Sequence, residues 1–182
     1  MKAERKLQAV DFAIGRPNSD EAEPYYFTYI NQVEDGDVLS LLEKQSEEVP
    51  ALFAEISAER SLHRYAPDRW SIRQLVSHLN DAERVFAHRA LWFVRGLEDP
   101  LPSFDQNVAA SAANADQIEW AAHVEEFQRV HRSSVSLFRN MPADAWMRRG
   151  TASGNSFTVR ALAFVIAGHV THHVRILRER YL

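Results

Sequence analysis

Residues 158–181 read TVRALAFVIAGHVTHHVRILRERY. At about 100° per residue, Leu162, Val165, Ile166, His169, His173 and Ile176 fall on one helical face, with Thr171, Arg175 and Arg178 on the opposite one. The stretch is therefore an amphipathic helix, and two histidines one turn apart sit inside its apolar stripe. Imidazole fills a core poorly unless its nitrogens find partners, so the pair either binds something or is hydrogen-bonded internally.

Working outward from this helix, three more segments carry the same period. From Asp37 to Ser57, the positions Val38, Leu41, Leu42, Val49, Leu52, Phe53 and Ile56 form a stripe behind an Asp37 N-cap, with Pro50 as a kink or restart. A second helix opens at Ser71, whose pairing with Gln74 is a capping box, and runs to Arg95. Ile72, Leu75, Leu79, Ala82, Phe86 and Phe93 make its apolar face. His78 lies at the margin of that face, aligned with Ala82, Val85 and Arg89, whereas His88 falls on the polar side with Arg84. A third helix, from Asp116 to Asn140, buries Trp120, Val124, Phe127, His131 and Phe138, with Asp116 and Glu119 reading as a further capping pair.

No segment alternates with the period of a strand. Between the second and third helices, Gly96 to Ala115 lacks periodicity, and a connection of that length is a crossover between parallel neighbours or a functional loop. The expected fold is all-α, a four-helix bundle with a long crossover. Residues 1–36, with the aromatic run Tyr25-Tyr26-Phe27-Thr28-Tyr29, form an arm expected to pack on the domain that spans 37–182. The crossover and the N-terminal aromatics are expected to line a pocket.

Composition narrows the function. The 182 residues suffice for one domain, and 46% apolar with 25% charged residues is ordinary for a globular chain. A net charge of -4 leaves no basic footprint for nucleic acid or an anionic membrane. No apolar run approaches the ~18 residues of a membrane span, and MKAERKLQAVDF is not followed by a signal-type core, so a cytoplasmic location is the default expectation. With no cysteine, thiolate ligation and cysteine nucleophiles are excluded, and any thiol chemistry must use a cosubstrate.

His78, His169 and His173 are candidate metal ligands, because three neutral imidazoles suit zinc, nickel, iron or copper and leave coordination positions open. Periodicity does not establish that their helices are neighbours, and internally bonded core histidines remain the alternative. Val170 stands where a zincin carries glutamate, no paired Glu-x-x-His motif occurs, and no Walker A, G-x-S-x-G or G-x-G-x-x-G is present. His172 lies at the edge of the stripe. Glu83 falls among Ile72, Val76 and Leu79, which favours an ion pair with a basic partner. His131 lies mid-stripe as a core residue, with a pocket role or a fourth ligand as alternatives.

These residues resemble the DinB superfamily, the DinB/YfiT-like metal-dependent enzymes. Trp70-Ser71-Ile72 through His78-Leu79, followed by Asp81 and Glu83, is similar to its W-S-x-x-x-x-x-x-H-L segment; Ser103-Phe104-Asp105-Gln106 to its following loop; and Gly168-His169 through His172-His173 to its terminal G-H-x-x-H-H. The resemblance implies up-down-down-up topology, often as a homodimer. It also implies a divalent metal ion, commonly nickel or zinc, on His78, His169 and His173. His172, His131 and Glu83 are candidate neighbouring or pocket residues from their positions on the helical wheel alone. The implied function is a metal-dependent hydrolase or a transferase or isomerase using a low-molecular-weight thiol. The alternative is a non-catalytic metal- or small-molecule-binding bundle associated with stress.

Overall fold

The computed structural model describes residues 14–182. A short turn at Pro24–Tyr26 leads into α1 (Phe27–Ile30). The long helices are α2 (Val38–Ala54), α3 (Ile72–Val94), α5 (Trp120–Arg139) and α6 (Val159–Arg180). The short α4 (Gln106–Ala112) and a hairpin of β1 (Arg149–Ala152) and β2 (Asn155–Thr158) complete the chain. Among the described residues, no helix is long and apolar enough to cross a membrane.

Side-chain contacts fix the helix directions. Early in α2, the Leu42 carbonyl accepts from His131 late in α5, while the Phe53 carbonyl accepts from Trp120 at the start of α5, so α2 and α5 are antiparallel. Arg73 binds the Ile118 carbonyl and Arg84 binds Glu126, so α3 and α5 run parallel. Tyr181 reaches back to the Trp70 carbonyl and His169 meets His78, which makes α3 and α6 antiparallel. The bundle α2, α3, α5, α6 is therefore up-down-down-up, and the parallel α3–α5 pair is what requires the long crossover.

The local signals explain the helix starts. Asp37 caps α2 through Leu39 N–H and Ser40 N–H, Ser71 and Gln74 form the full capping box of α3, and Thr158 caps α6 through Ala161 N–H. α2 runs continuously through Pro50. α5 begins at Trp120 rather than Asp116, which lies in a 3-10 turn. The Asp116 carboxylate is spent elsewhere: it accepts from Ser71 Oγ and from Arg64, tying the crossover to the start of α3. Two further elements depart from expectation. The crossover contains α4, capped by Asp105, and the segment before α6 forms a hairpin with Ser153 and Gly154 at its turn. Both turn residues have positive φ, 54° and 76°, as a type I′ turn requires.

The interior has two apolar clusters. One gathers around Phe93, Phe138, Phe157 and Phe164, the other around Phe53, Leu79, Phe127 and Val170. Gln45, Glu83, His131 and His169, one from each long helix, lie along the chain between members of the two clusters. Within this polar layer Gln45 donates to the Ala167 carbonyl and His131 pairs with Glu83, while Gln45 Oε1 and Glu83 Oε1 have no partner among the described residues. α6 is buried on all sides from Ala161 to Val170, not along one stripe. Its outer face is covered by α1, whose Ile30 belongs to the core. Of the N-terminal arm, residues 1–13 lie outside the described residues. The rest is anchored by Glu21, which accepts from Thr158 Oγ1 and from Arg160.

Candidate metal centre

His78 lies two turns into α3, past its capping box, and His169 and His173 lie one turn apart on the facing side of α6. The antiparallel packing brings the three rings together. His169 Nε2 is 3.1 Å from His78 Nε2 and 3.1 Å from His173 Nε2, and one ligand atom from each residue lies within 4.8 Å of the others. Nitrogens held about 2.0–2.1 Å from one ion at tetrahedral angles would lie about 3.3 Å apart, close to the spacing that His169 keeps to each of the other two. Three ring nitrogens that converge as lone pairs have no donor to share among them, and a cation that accepts all three lone pairs resolves the arrangement. The residues present thus fit a divalent ion.

Burial keeps these imidazoles neutral, with lone pairs free to bind. Desolvation pushes His78 down to about 4. Desolvation, joined by the neighbouring imidazoles, pushes His173 to about 3 and His169 well below the usual histidine range. Aromatic rings wall the cluster: Trp70 stands 4.9 Å from His78, and Tyr29 meets His169 edge-on at 5.0 Å. Among the described residues His173 Nδ1 has no hydrogen-bond partner, so packing orients its ring.

Glu83 and His131 neither join the histidine cluster nor line the cavity beside it. Across the bundle interior, His131 Nδ1 lies 2.9 Å from Glu83 Oε2, and its Nε2 donates to the Leu42 carbonyl at 3.0 Å. Burial alone would lower the His131 pKa; the charge and hydrogen bond of Glu83 outweigh it and raise it. With both nitrogens committed, His131 is no fourth ligand, and no carboxylate joins the cluster among the described residues. His172 is half-buried, edge-on to Tyr29 at 5.5 Å, and borders a separate groove with Tyr65 and Arg175. Its pKa is lowered by burial and by Arg175.

Beside the histidines lies a cavity of about 200 Å³ bordered by His78, His169, Tyr29, Phe86, Arg89 and Ser153, with Phe104 and Gln106 of the crossover at its edge. Larger grooves of 510 and 790 Å³ contain none of the three histidines. Arg89 and Ser153 carry no motif. The alignment of Arg89 with His78 along α3 was visible on the helical wheel, whereas the position of Ser153 depends on a hairpin whose strands are too short to read.

The model of the DinB superfamily matches residues 41–177. The chain belongs to the DinB superfamily. Two solved structures share its fold. YfiT from Bacillus subtilis, described as a probable metal-dependent hydrolase with an unusual four-helix bundle topology, is 19% identical with a TM-score of 0.63 over 90% of this chain and 89% of its own. The mycothiol-dependent maleylpyruvate isomerase is 15% identical with a TM-score of 0.65 over 80% of this chain; the match spans 61% of the isomerase. No curated protein matches the sequence. This DinB-superfamily chain thus shares its architecture with one protein described as a hydrolase and with one thiol-dependent isomerase.

Proposed function

We propose that His78, His169 and His173 hold a divalent metal ion, nickel or zinc, and that the protein is a metal-dependent hydrolase or a transferase acting with a low-molecular-weight thiol. The convergence of the three Nε2 atoms carries this reading. A divalent ion bound there would supply Lewis acidity, acting on a water molecule or on the thiol of a cosubstrate. Three protein ligands are the number found in catalytic rather than closed structural zinc sites, which favours catalysis over a purely structural metal.

The chain's own residues do the rest. Trp70, Tyr29 and Phe86 exclude bulk water from the imidazoles and hold them neutral for binding. The adjoining cavity admits a small molecule on the side of His78 and His169. With no cysteine in the chain, the thiol of a transfer reaction would come with a cosubstrate, and the hydrolase and isomerase neighbours support the two branches equally. The reading includes a homodimer, on the strength of the family resemblance, and the cytoplasmic location expected from the sequence.

Elemental analysis of untagged protein tests it, wild type beside His173→Ala. Near-stoichiometric nickel or zinc, lost in the variant, is expected, followed by metal-dependent ester hydrolysis or thiol transfer. Wild-type protein that is metal-free and binds neither added ion would overturn the proposal.

A further inference from the structure

The cavity beside the histidines has a second chemical feature. Arg89 is buried, at 3% exposure, and borders the cavity. Among the described residues it has no carboxylate partner. Its hydrogen bonds run from one nitrogen only: NH2 donates to Ser153 Oγ at 2.8 Å and to the Pro102 carbonyl at 3.3 Å. Nε and NH1 have no hydrogen-bond partner among the described residues. Arg73, the other buried arginine of α3, shows what a structural arginine does here. It engages all three nitrogens, with Ser61 Oγ and the carbonyls of Asp116, Ile118 and Ala58.

A buried guanidinium is costly unless its donors and its charge are matched. Arg89 is held in place on one edge while the rest of its fork is left uncommitted, and a planar fork of that kind matches a carboxylate. Ser153, which fixes it, sits at the hairpin turn and borders the same cavity. The guanidinium carbon lies 5.9 Å from the Phe86 ring centre, and that ring lies 6.1 Å from the His169 ring. One phenyl ring thus separates the cation from the histidine cluster.

We infer that Arg89 is a carboxylate-binding residue, and that the substrate is a small organic acid whose carboxylate docks on Arg89 while its reactive group points toward His78 and His169. This deepens the proposed function and rests on it for the second half. A volume of about 200 Å³ falls below the roughly 300–1,000 Å³ of drug-sized pockets, which restricts the acid to a small one. Ser153 and the Pro102 carbonyl are positioning groups that act through Arg89.

The test uses full-length 15N-labelled protein stripped of metal by chelation, titrated with pentanoate and with its neutral isostere pentanamide. The readout is the Arg89 Nε–H resonance, assigned by its absence in Arg89→Lys. Pentanoate is expected to shift this resonance saturably and pentanamide to leave it in place. Arg89→Gln should weaken pentanoate at least about tenfold, and Arg89→Lys less, with thermal unfolding confirming that both variants fold. Equal binding of acid and amide by wild type, which needs no variant, overturns the inference, as does undiminished pentanoate affinity in Arg89→Gln. Because metal is absent from these titrations, an Arg89-dependent carboxylate site in a protein that never binds nickel or zinc would sink the metal reading alone. Stoichiometric metal with no preference for pentanoate would sink this inference alone.

Discussion

The Tyr29 backbone lies directly on Gly168: a Cβ added to that glycine would stand 2.0 Å from the Tyr29 carbonyl oxygen. The contact lets α1 close over α6 and sets the Tyr29 ring against His169, so the glycine before the first histidine of α6 serves the site by having no side chain. Gly168→Ala must push the segment away. The expected cost is about 1–3 kcal/mol, seen as a fall in melting temperature on the order of 2–10 °C. An alanine variant with unchanged melting temperature would refute the close packing.

The buried His131–Glu83 pair makes a second prediction. Removing one partner, as in His131→Gln, strands the other and should cost about 3–5 kcal/mol, whereas the double change Glu83→Leu with His131→Phe should recover much of it. The His131 pKa is raised in the fold. Its stabilising contribution is therefore fully present below the unfolded value near 6.5 and is lost as pH rises through the folded value. Urea unfolding at pH 6 and pH 9 should show wild type losing stability with rising pH relative to the double variant. Parallel curves would mean that the pair holds no extra proton.

Glu21 behaves with the opposite sign. Burial alone would raise its pKa, but the bonds from Arg160, Asn18 N–H and Thr158 outweigh that and hold it below the ordinary carboxylate value. The contribution is present above the unfolded pKa near 4.5 and is lost as pH falls below it. Arg160→Ala should destabilise more than Glu21→Gln, since it leaves a buried carboxylate facing only neutral donors. The gap between wild type and Glu21→Gln should close on acidification below pH 4.5. A gap that persists there would show that the glutamine loses packing rather than charge.

The bundle was legible in the sequence because each long helix repeats apolar residues at 3.6 spacing and two of them carry a readable capping side chain, Asp37 or Ser71, at the boundary. What escaped was decided by contacts across the fold. Asp116 reads as a helix cap, but Arg64 and Ser71, which bind it, lie 52 and 45 residues away. The hairpin strands are four residues each, too short for alternation to register. Periodicity put His169 and His173 on one face and could not say that His78 faces them; the family resemblance supplied that pairing. Arg89 shared the His78 stripe, but a wheel shows which residues align and not which donors are left over.

Metal-free protein gives the last prediction. The folded pKa values of His78 and His173, about 4 and about 3, and that of His169, also depressed, lie below the unfolded value of 6.5. Their neutrality therefore stabilises the fold above pH 6.5 and is lost as pH falls, because the unfolded chain takes up protons that the folded chain refuses. Between about pH 6 and pH 4 the unfolding free energy should fall by up to about 4 kcal/mol per pH unit from these three groups, and His78→Asn should remove about a third of that slope. Excess zinc should stabilise the wild type at pH 7 by binding only the folded state, and the gain should shrink on acidification as protons compete for the same nitrogens. Chemical denaturation across this range, with and without zinc, reads both effects. If the slope is unchanged in His78→Asn and zinc stabilises equally at pH 7 and pH 5, the three imidazoles neither share a desolvated site nor bind the ion.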